Sequence, residues 1–382
     1  MKIAEVVSSF YPNIGGIENS VYFLSKELVK LGHEVHVITL NGKTTHETIN
    51  RIHVHRLKRL IHPPLLPQKE FDIARTCRCE EFDIVHIHSI EPICLQELLF
   101  SKYLNVKPIV ATLFSIGGWM RHPRLPIRIT AGPYERIALR LVRKADIFHV
   151  KNEGDKAMLI KLGFNASRIL LIPDGVPKYA FGDFDGSAFQ NKYGLMNKKI
   201  VLYVGRLHHA KGIHILIKAM VEVIKRRSDV TAVLVGQDVD MKPNLVSATN
   251  SLGIQDHVII TGYISEREKF QAYSACDILV LPSLYDLVEA YSIVISEAWA
   301  QRKPVIASAI GAIPHRIKHG VNGVLVPPSN PKILAEAIIE ILGNPKKAKT
   351  LGANGHKNVA TWPDVAKMLE KAYFTAGKHQ HP

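Results

Sequence analysis

One pattern constrains this chain more than any other: short apolar, β-branched runs alternate with helix-like stretches, and the alternation occurs twice. The first series of runs covers 3–7, 34–39, 83–88, 108–113, 146–150 and 168–172. The second covers 199–204, 231–235, 257–261, 277–281, 304–307 and 323–326. Each run is bounded by Gly, Pro, Asn or charged residues, which is how strands are punctuated. Their uniformly apolar character predicts burial on both faces, as in parallel sheets covered by helices. The clearest helix spans 17–31 and stops at Gly32. Others are expected near 212–226, 265–275, 291–301, 331–342 and 364–376. A chain of 382 residues exceeds one compact core. The expected fold class is α/β, with two doubly wound Rossmann-like domains facing a cleft. Domain one is expected at 1–175, a Gly-, Asp- and Pro-rich linker at 176–198, and domain two at 199–360. A C-terminal helix in 361–382 is expected to pack back on domain one.

No apolar run approaches the ~20 residues that span a bilayer. Glu5 interrupts the first apolar stretch, which reads as a strand and not as a signal peptide. Cys77 and Cys79 are spaced C-x-C, Cys94 and Cys276 are isolated, and no C-x-x-C pair occurs. Reduced thiols and a cytoplasmic location are the expectation, with a peripheral place on the membrane as an extension of it. Lys and Arg exceed Asp and Glu by 15. Such a balance favours an anionic partner: nucleic acid, anionic lipid or a phosphorylated substrate. The excess is even, 8 in residues 1–180 and 7 in the rest. Zinc-finger spacing, RNA-binding aromatics and a Lys-rich tail are absent, so nucleic acid is not expected.

Three segments carry candidate chemistry. In 289–300, EAYSIVISEAWA, a helix is expected to begin near Tyr291. Its free amides suit a phosphate, and Glu289 and Glu297 flank that start. By spacing alone, both glutamates read more readily as solvated surface. In 205–212, GRLHHAKG, Arg206 offers a forked donor and Lys211 a point charge. Together they suit a diphosphate clamp that needs no metal, or simply a wet basic loop. In 11–18, YPNIGGIE, Gly15 and Gly16 allow close backbone approach by a ligand or form a tight turn. This is not a G-x-G-x-x-G fingerprint. Of two D-x-D triplets, Asp183–Asp185 reads as turn chemistry and Asp238–Asp240 follows a strand; neither is expected to hold a metal.

Together these segments resemble the GT-B-fold glycosyltransferases of family 4. The resemblance also takes in 83–89 (DIVHIHS), 172–176 (IPDGV), 311–314 (GAIP) and 320–323 (GVNG), so it covers nearly the whole chain. It implies a retaining transferase using a nucleotide-sugar donor, with no cofactor and no obligatory metal. Glu297 would bind the ribose and Glu289 would face the donor sugar. Arg206 and Lys211 would hold the diphosphate, helped by amides of Tyr291, Ser292 and Ile293. Gly15 and Gly16 would line the donor or acceptor side, Gly262 and Tyr263 would pass near the base, and His88 is carried as a substrate-binding residue. Three positions depart from the family pattern: Phe114 stands where a His near the sugar is common, Ser292 replaces a Gly and Asp174 an Asn. His86, His88 and His122 are candidates to compensate for Phe114.

The acceptor is expected to be a sugar or a lipid-linked group at an anionic membrane surface. The candidate contact is the mixed apolar and cationic stretch 118–128 with Arg136, Arg140, Arg143 and Lys144 in 136–144; the block 51–59 adds further charge. An ordinary cationic surface is the competing reading. Two other functions fit the same motifs: a sugar-nucleotide epimerase of this architecture and a non-catalytic nucleotide-sugar binder.

Overall fold

The computed structural model describes residues 1–13, 15–41, 44–58, 82–91, 94–95, 108–120, 122 and 125–378. Cys77, Cys79, Arg59, Arg121 and Arg124 lie outside the described residues. The chain divides into two compact units, Met1–Gly175 with the segment from Thr361, and Val176–Ala360.

The first unit runs β1 (Lys2–Val6), α1 (Gly16–Lys30), β2 (Glu34–Asn41), β3 (Thr45–Ile49), β4 (Ile52–Lys58), β5 (Ile84–His88), β6 (Ile109–Leu113), α2 (Leu125–Val142), β7 (Ile147–Val150), α3 (Glu153–Lys161) and β8 (Ile169–Leu171). Its sheet has the order β3-β4-β2-β1-β5-β6-β7-β8, parallel except for the β3–β4 hairpin. The buried face of α1 places Val21, Leu24 and Leu28 at helical spacing over the sheet. The basic block 51–59 is mostly β4: Ile52, Val54 and Leu57 are buried. Arg56 is buried too and bonds Glu47 and the Tyr11 carbonyl, so it is no part of a solvated cationic surface.

The second unit runs α4 (Gly186–Lys192), β9 (Lys199–Val204), α5 (Ile213–Arg226), β10 (Val230–Val235), α6 (Lys242–Ser251), β11 (Val258–Gly262), α7 (Glu266–Ala275), β12 (Ile278–Leu281), α8 (Ile293–Ala300), β13 (Val305–Ser308), α9 (Ile313–Arg316), β14 (Val324–Val326), α10 (Pro331–Gly343) and α11 (Pro345–His356). Its sheet is wholly parallel, in the order β11-β10-β9-β12-β13-β14. The stretch 176–198 is not a bare linker. It folds into this unit, with Val176, Ala180, Phe189 and Leu195 in one apolar cluster with Phe270 and Tyr273. Asp185 caps α4, accepting from Ser187 N at 2.9 Å, and Asp238 accepts from Met241 N and Lys242 N at 2.9 Å. Helix α12 (Trp362–Lys378) belongs to the first unit, where Tyr373 is fully buried against the sheet.

Both sheets use the same device at their amino ends. Asp83 accepts Lys2 N–H at 2.8 Å and returns its own N–H to the Lys2 carbonyl at 2.8 Å. Asp146 does the same with Ile109, at 2.8 Å in both directions. Asp277 does so with Ile200, at 2.8 and 3.0 Å. Each Asp thereby closes a ring that fixes two neighbouring strands in register. Asp277→Ala strands the Ile200 N–H, and the expected cost is about 1–3 kcal/mol of unfolding free energy, read by urea denaturation.

Candidate functional site

In the second unit, α5 carries the chain from β9 one way across the sheet, and α8 carries it from β12 the other way. Ligands of doubly wound sheets bind beyond the carboxyl ends of the strands at this reversal. Two loops meet there: 205–212 after β9 and 282–292 after β12. The Leu284 N–H donates to the Ala210 carbonyl at 3.0 Å. Gly212 has φ +67°, and a Cβ on it would lie 2.0 Å from the Pro282 carbonyl oxygen, so only glycine permits this approach.

Glu289 is buried between these loops, 3% exposed. Its Oε1 accepts from Lys211 Nζ at 2.8 Å and from Ser283 Oγ at 2.5 Å, and its Oε2 from Ser292 Oγ. Lys211 also donates to the Val288 carbonyl at 3.0 Å. An ammonium has three donors, so one N–H of Lys211 is left for an anion. Arg206 is exposed and its side chain makes no hydrogen bond or ion pair with a described residue. Its loop is anchored from beneath, where the Tyr203 hydroxyl donates to the Arg206 carbonyl at 2.9 Å. Burial, then the Glu289 charge, raises the Tyr203 hydroxyl well above its ordinary pKa, so it stays a donor.

Helix α8 starts at Ile293, two residues later than the spacing implies. Ser292 sits before it in the left-handed region, φ +63° and ψ +66°. That conformation favours Gly. Arg316, which the motifs did not single out, holds the turn: it donates to the Tyr291 carbonyl, to the Ser292 carbonyl at 2.8 Å and to Ser296 Oγ at 2.6 Å. Its guanidinium lies 3.8 Å from the Tyr291 ring centroid.

Glu297, on α8, is 6% exposed and meets two residues of α7. Lys269 Nζ donates to Oε1 at 2.7 Å and the Tyr273 hydroxyl to Oε2 at 2.8 Å. Burial works against the Lys269 charge, but Glu297 and Glu266 outweigh it and hold the ammonium above its usual pKa. A carboxylate accepts about four hydrogen bonds. The two protein donors therefore leave Glu297 room to accept two hydroxyls of a ligand. Gly262 ends β11 with φ +73° and Tyr263 follows it, 65% exposed, at the same edge of the sheet.

Residues 187–358 match the family described as glycosyl transferases group 1, and residues 14–178 match glycosyltransferase family 4. The chain belongs to glycosyltransferase family 4. It is 27% identical to an uncharacterised glycosyltransferase of Methanocaldococcus jannaschii, over 98% of each chain. It is 25% identical to a GDP-mannose-dependent α-(1-6)-phosphatidylinositol monomannoside mannosyltransferase of Mycolicibacterium smegmatis, again over 98% of each. The fold matches that of Anabaena HepE in complex with UDP-glucose, with a TM-score of 0.77 at 21% identity over 98% of this chain and 100% of that one. The architecture is thus GT-B.

The first unit of this glycosyltransferase brings Gly15 and Gly16 to the start of α1, beyond the carboxyl end of β1. Space beside Gly16 is open to 4 Å, whereas a Cβ on Gly15 would meet the Glu18 carboxylate. His86 and His88 are inside the unit. His88 Nε2 donates to Glu5 Oε2, and His86 joins Tyr373 at 2.7 Å to Thr112 at 2.6 Å. Thr112 continues to His149 at 2.7 Å, whose other nitrogen donates to the Ile172 carbonyl at 2.8 Å. The side chain over Phe114 is Lys151, its Nζ 5.8 Å from the ring centroid. Lys151 is buried and pairs with Asp174 at 2.8 Å; Asp174 also accepts from Ser20 Oγ at 3.1 Å. The change from Asn to Asp at 174 therefore comes with a partner cation.

Burial, helped by His86, holds the His88 imidazole down at about 4. Burial also opposes the Glu5 charge, but His86 and His88 outweigh it and keep that carboxyl below its usual range. A depressed native pKa stabilises above the unfolded value and is lost as pH falls toward the native one. The His88 contribution is therefore complete above 6.5 and fades towards about 4. The Glu5 contribution fades below 4.5. Melting temperature is expected to drop through this window, and His88→Gln is expected to flatten the part between pH 6.5 and 4.

Proposed function

We propose that this glycosyltransferase moves a hexose from a nucleotide-sugar donor to an acceptor with retention of anomeric configuration, without an obligatory metal. The observation that carries the reading is Glu289 fixed by Lys211, Ser283 and Ser292 at the strand ends, with Arg206 exposed in the adjoining loop. Lys211 and Arg206 would neutralise the leaving diphosphate. Glu289 would face the sugar, and the two open acceptor positions on Glu297 suit the ribose hydroxyls. Attack from the face that the diphosphate leaves, through a short-lived oxocarbenium-like ion pair, gives retention; the protein contributes charge and position.

UDP-glucose and GDP-mannose are the first donors to test, because HepE is seen with UDP-glucose and the mycobacterial relative uses GDP-mannose. In a panel of UDP-, GDP- and ADP-sugars, one donor is expected to raise the melting temperature and to support transfer. Glu297→Ala is expected to weaken nucleotide binding about tenfold or more, from loss of charge-assisted hydrogen bonds worth about 1.5–3 kcal/mol. Glu289→Ala is expected to lower turnover by a larger factor than it changes donor affinity. Normal kinetics in both variants would sink the assignment. Phe114 favours one second reading, a donor binder without transfer; that protein would bind donor and neither transfer nor hydrolyse it.

The acceptor reading is a lipid or lipid-linked group. Helix α2 supports it by exposing Leu125, Ile129 and Ile137 at 52, 62 and 55%, alongside exposed Arg128, Arg136 and Arg140. Trp119, 47% exposed, precedes this helix. Apolar and cationic side chains on one exposed helix suit an anionic interface. Co-sedimentation with vesicles carrying anionic lipid at moderate salt is expected, and replacing Ile129 and Arg136 together by Ser is expected to abolish it.

A further inference from the structure

The outer strands of the first unit carry a group of imidazoles that the transferase reading does not use. In β2, Glu34 and His36 share one face of the sheet, because strand side chains alternate. In β4, His53 and His55 do the same. The parallel β2–β4 register sets His36 opposite His53, and the antiparallel β3–β4 register sets His46 opposite His55. Five metal-ligating side chains therefore project from one face of three adjacent strands.

Their contacts run in sequence. His36 Nε2 lies 2.8 Å from Glu34 Oε1, and His36 Nδ1 lies 2.8 Å from His55 Nε2. His55 Nδ1 lies 2.8 Å from His46 Nδ1. His53 stacks on His36 at 4.7 Å between centroids and makes no hydrogen bond with a described residue. One ligand atom each from Glu34, His36 and His53 fall within 4.8 Å of one another. Glu34, His46 and His53 are exposed. Lys2 Nζ, 3.7 Å from Glu34, is the cation that a metal would displace from this carboxylate.

We propose that this face binds one divalent transition-metal ion of the zinc class through Glu34, His36 and His53. Two imidazoles and a carboxylate are a borderline-soft donor set that suits zinc and leaves a fourth position for water. Tetrahedral coordination at about 2.0–2.2 Å needs ligand atoms roughly 3.3–3.6 Å apart. Closing from the present spacing takes ring rotation about χ2, a broad torsion, at an exposed edge. His55 then supports His36 from behind. With the metal on Nε2, His36 Nδ1–H donates to His55 Nε2, and His55 Nδ1–H donates on to His46, a pattern that fixes each tautomer. A bound ion would clip β2 to β4 across their register pair. Glu5, His86 and His88 form a second close trio. That trio is buried and closed by Tyr373 and Thr112, so it is a hydrogen-bonded interior and carries no such proposal.

The test is calorimetric titration of the untagged full chain with Zn2+, with Mg2+ as the contrasting hard cation, followed by thermal melting with and without Zn2+. One saturable equivalent of Zn2+, none of Mg2+, and a higher melting temperature with Zn2+ are expected. His53→Gln and Glu34→Gln are each expected to weaken Zn2+ binding at least about tenfold. Both are exposed substitutions, so the metal-free melting temperature should match the parent and report intact folding. Absence of a stoichiometric Zn2+ site in the parent, or undiminished Zn2+ binding in both folded variants, overturns the proposal.

Discussion

The ion pair between the half-buried Lys211 and the buried Glu289 is the interaction on which the second unit's site depends. It joins the loops after β9 and β12, at the reversal of the sheet, where backbone packing alone leaves a crevice. Two charges taken out of water are costly, and the pair is tolerable because Glu289 also accepts from Ser283 and Ser292 while Lys211 also donates to the Val288 carbonyl. Removing Lys211 leaves the Glu289 carboxylate buried without its cation, a loss that reaches about 3–5 kcal/mol in fully buried pairs. The surrounding choices follow. Gly212 is needed because a Cβ would strike Pro282, Tyr203 pins the Arg206 loop, and Arg316 gathers the carbonyls of Tyr291 and Ser292. The result is a carboxylate and an ammonium positioned before any ligand arrives, which is where preorganised electrostatics has its effect.

The first unit fills its interior with a hydrogen-bonded chain of imidazoles and hydroxyls. Its interior polar chain runs from Tyr373 through His86 and Thr112 to His149 and ends on a backbone carbonyl, so every donor has an acceptor. Burial pushes His149 well below its ordinary pKa, with His86 adding to the effect. Buried charge is answered by a partner, as at Glu5 beside His88, Lys151 beside Asp174 and Arg56 beside Glu47, or by backbone N–H groups, as at Glu135 and Asp155. His86 and His88 are therefore committed to the interior, and the cation beside Phe114 is Lys151.

Much of this was legible in the sequence, and the failures have a common cause. Apolar runs located the core strands because burial on both faces leaves a local signature. Glu289 and Glu297 stood out because they bracket a helix start after a strand. Lys269 and Tyr273, which hold Glu297, and Arg316, which holds the turn before α8, carried no signal: their partners are 20 to 28 residues away. The segment 176–198 reads as unstructured because its helical pieces are short and the stretch 182–186 between them is Gly- and Asp-rich, yet Phe189 and Leu195 are anchored by distant aromatics. The block 51–59 reads as a basic surface because Arg and His obscure the alternation of Ile52 and Val54, and Leu57 is buried from the opposite face. Ser292 was expected to be a small residue inside a helix start. It is left-handed instead, a conformation that no single-residue preference of Ser announces.

The paired aspartate rings have a consequence for how such a chain can change. Asp83, Asp146 and Asp277 all fasten strands at their amino ends, whereas the loops that carry Arg206, Lys211 and Glu289 lie beyond carboxyl ends. Alignment and candidate chemistry are thus written at opposite poles of the second unit's sheet. A loop at the chemical pole can lengthen, shorten or exchange side chains while the far pole keeps the strands aligned. Variation in substrate preference is therefore open to this scaffold without re-solving its folding, and the aspartates are the positions where such variation should be least tolerated.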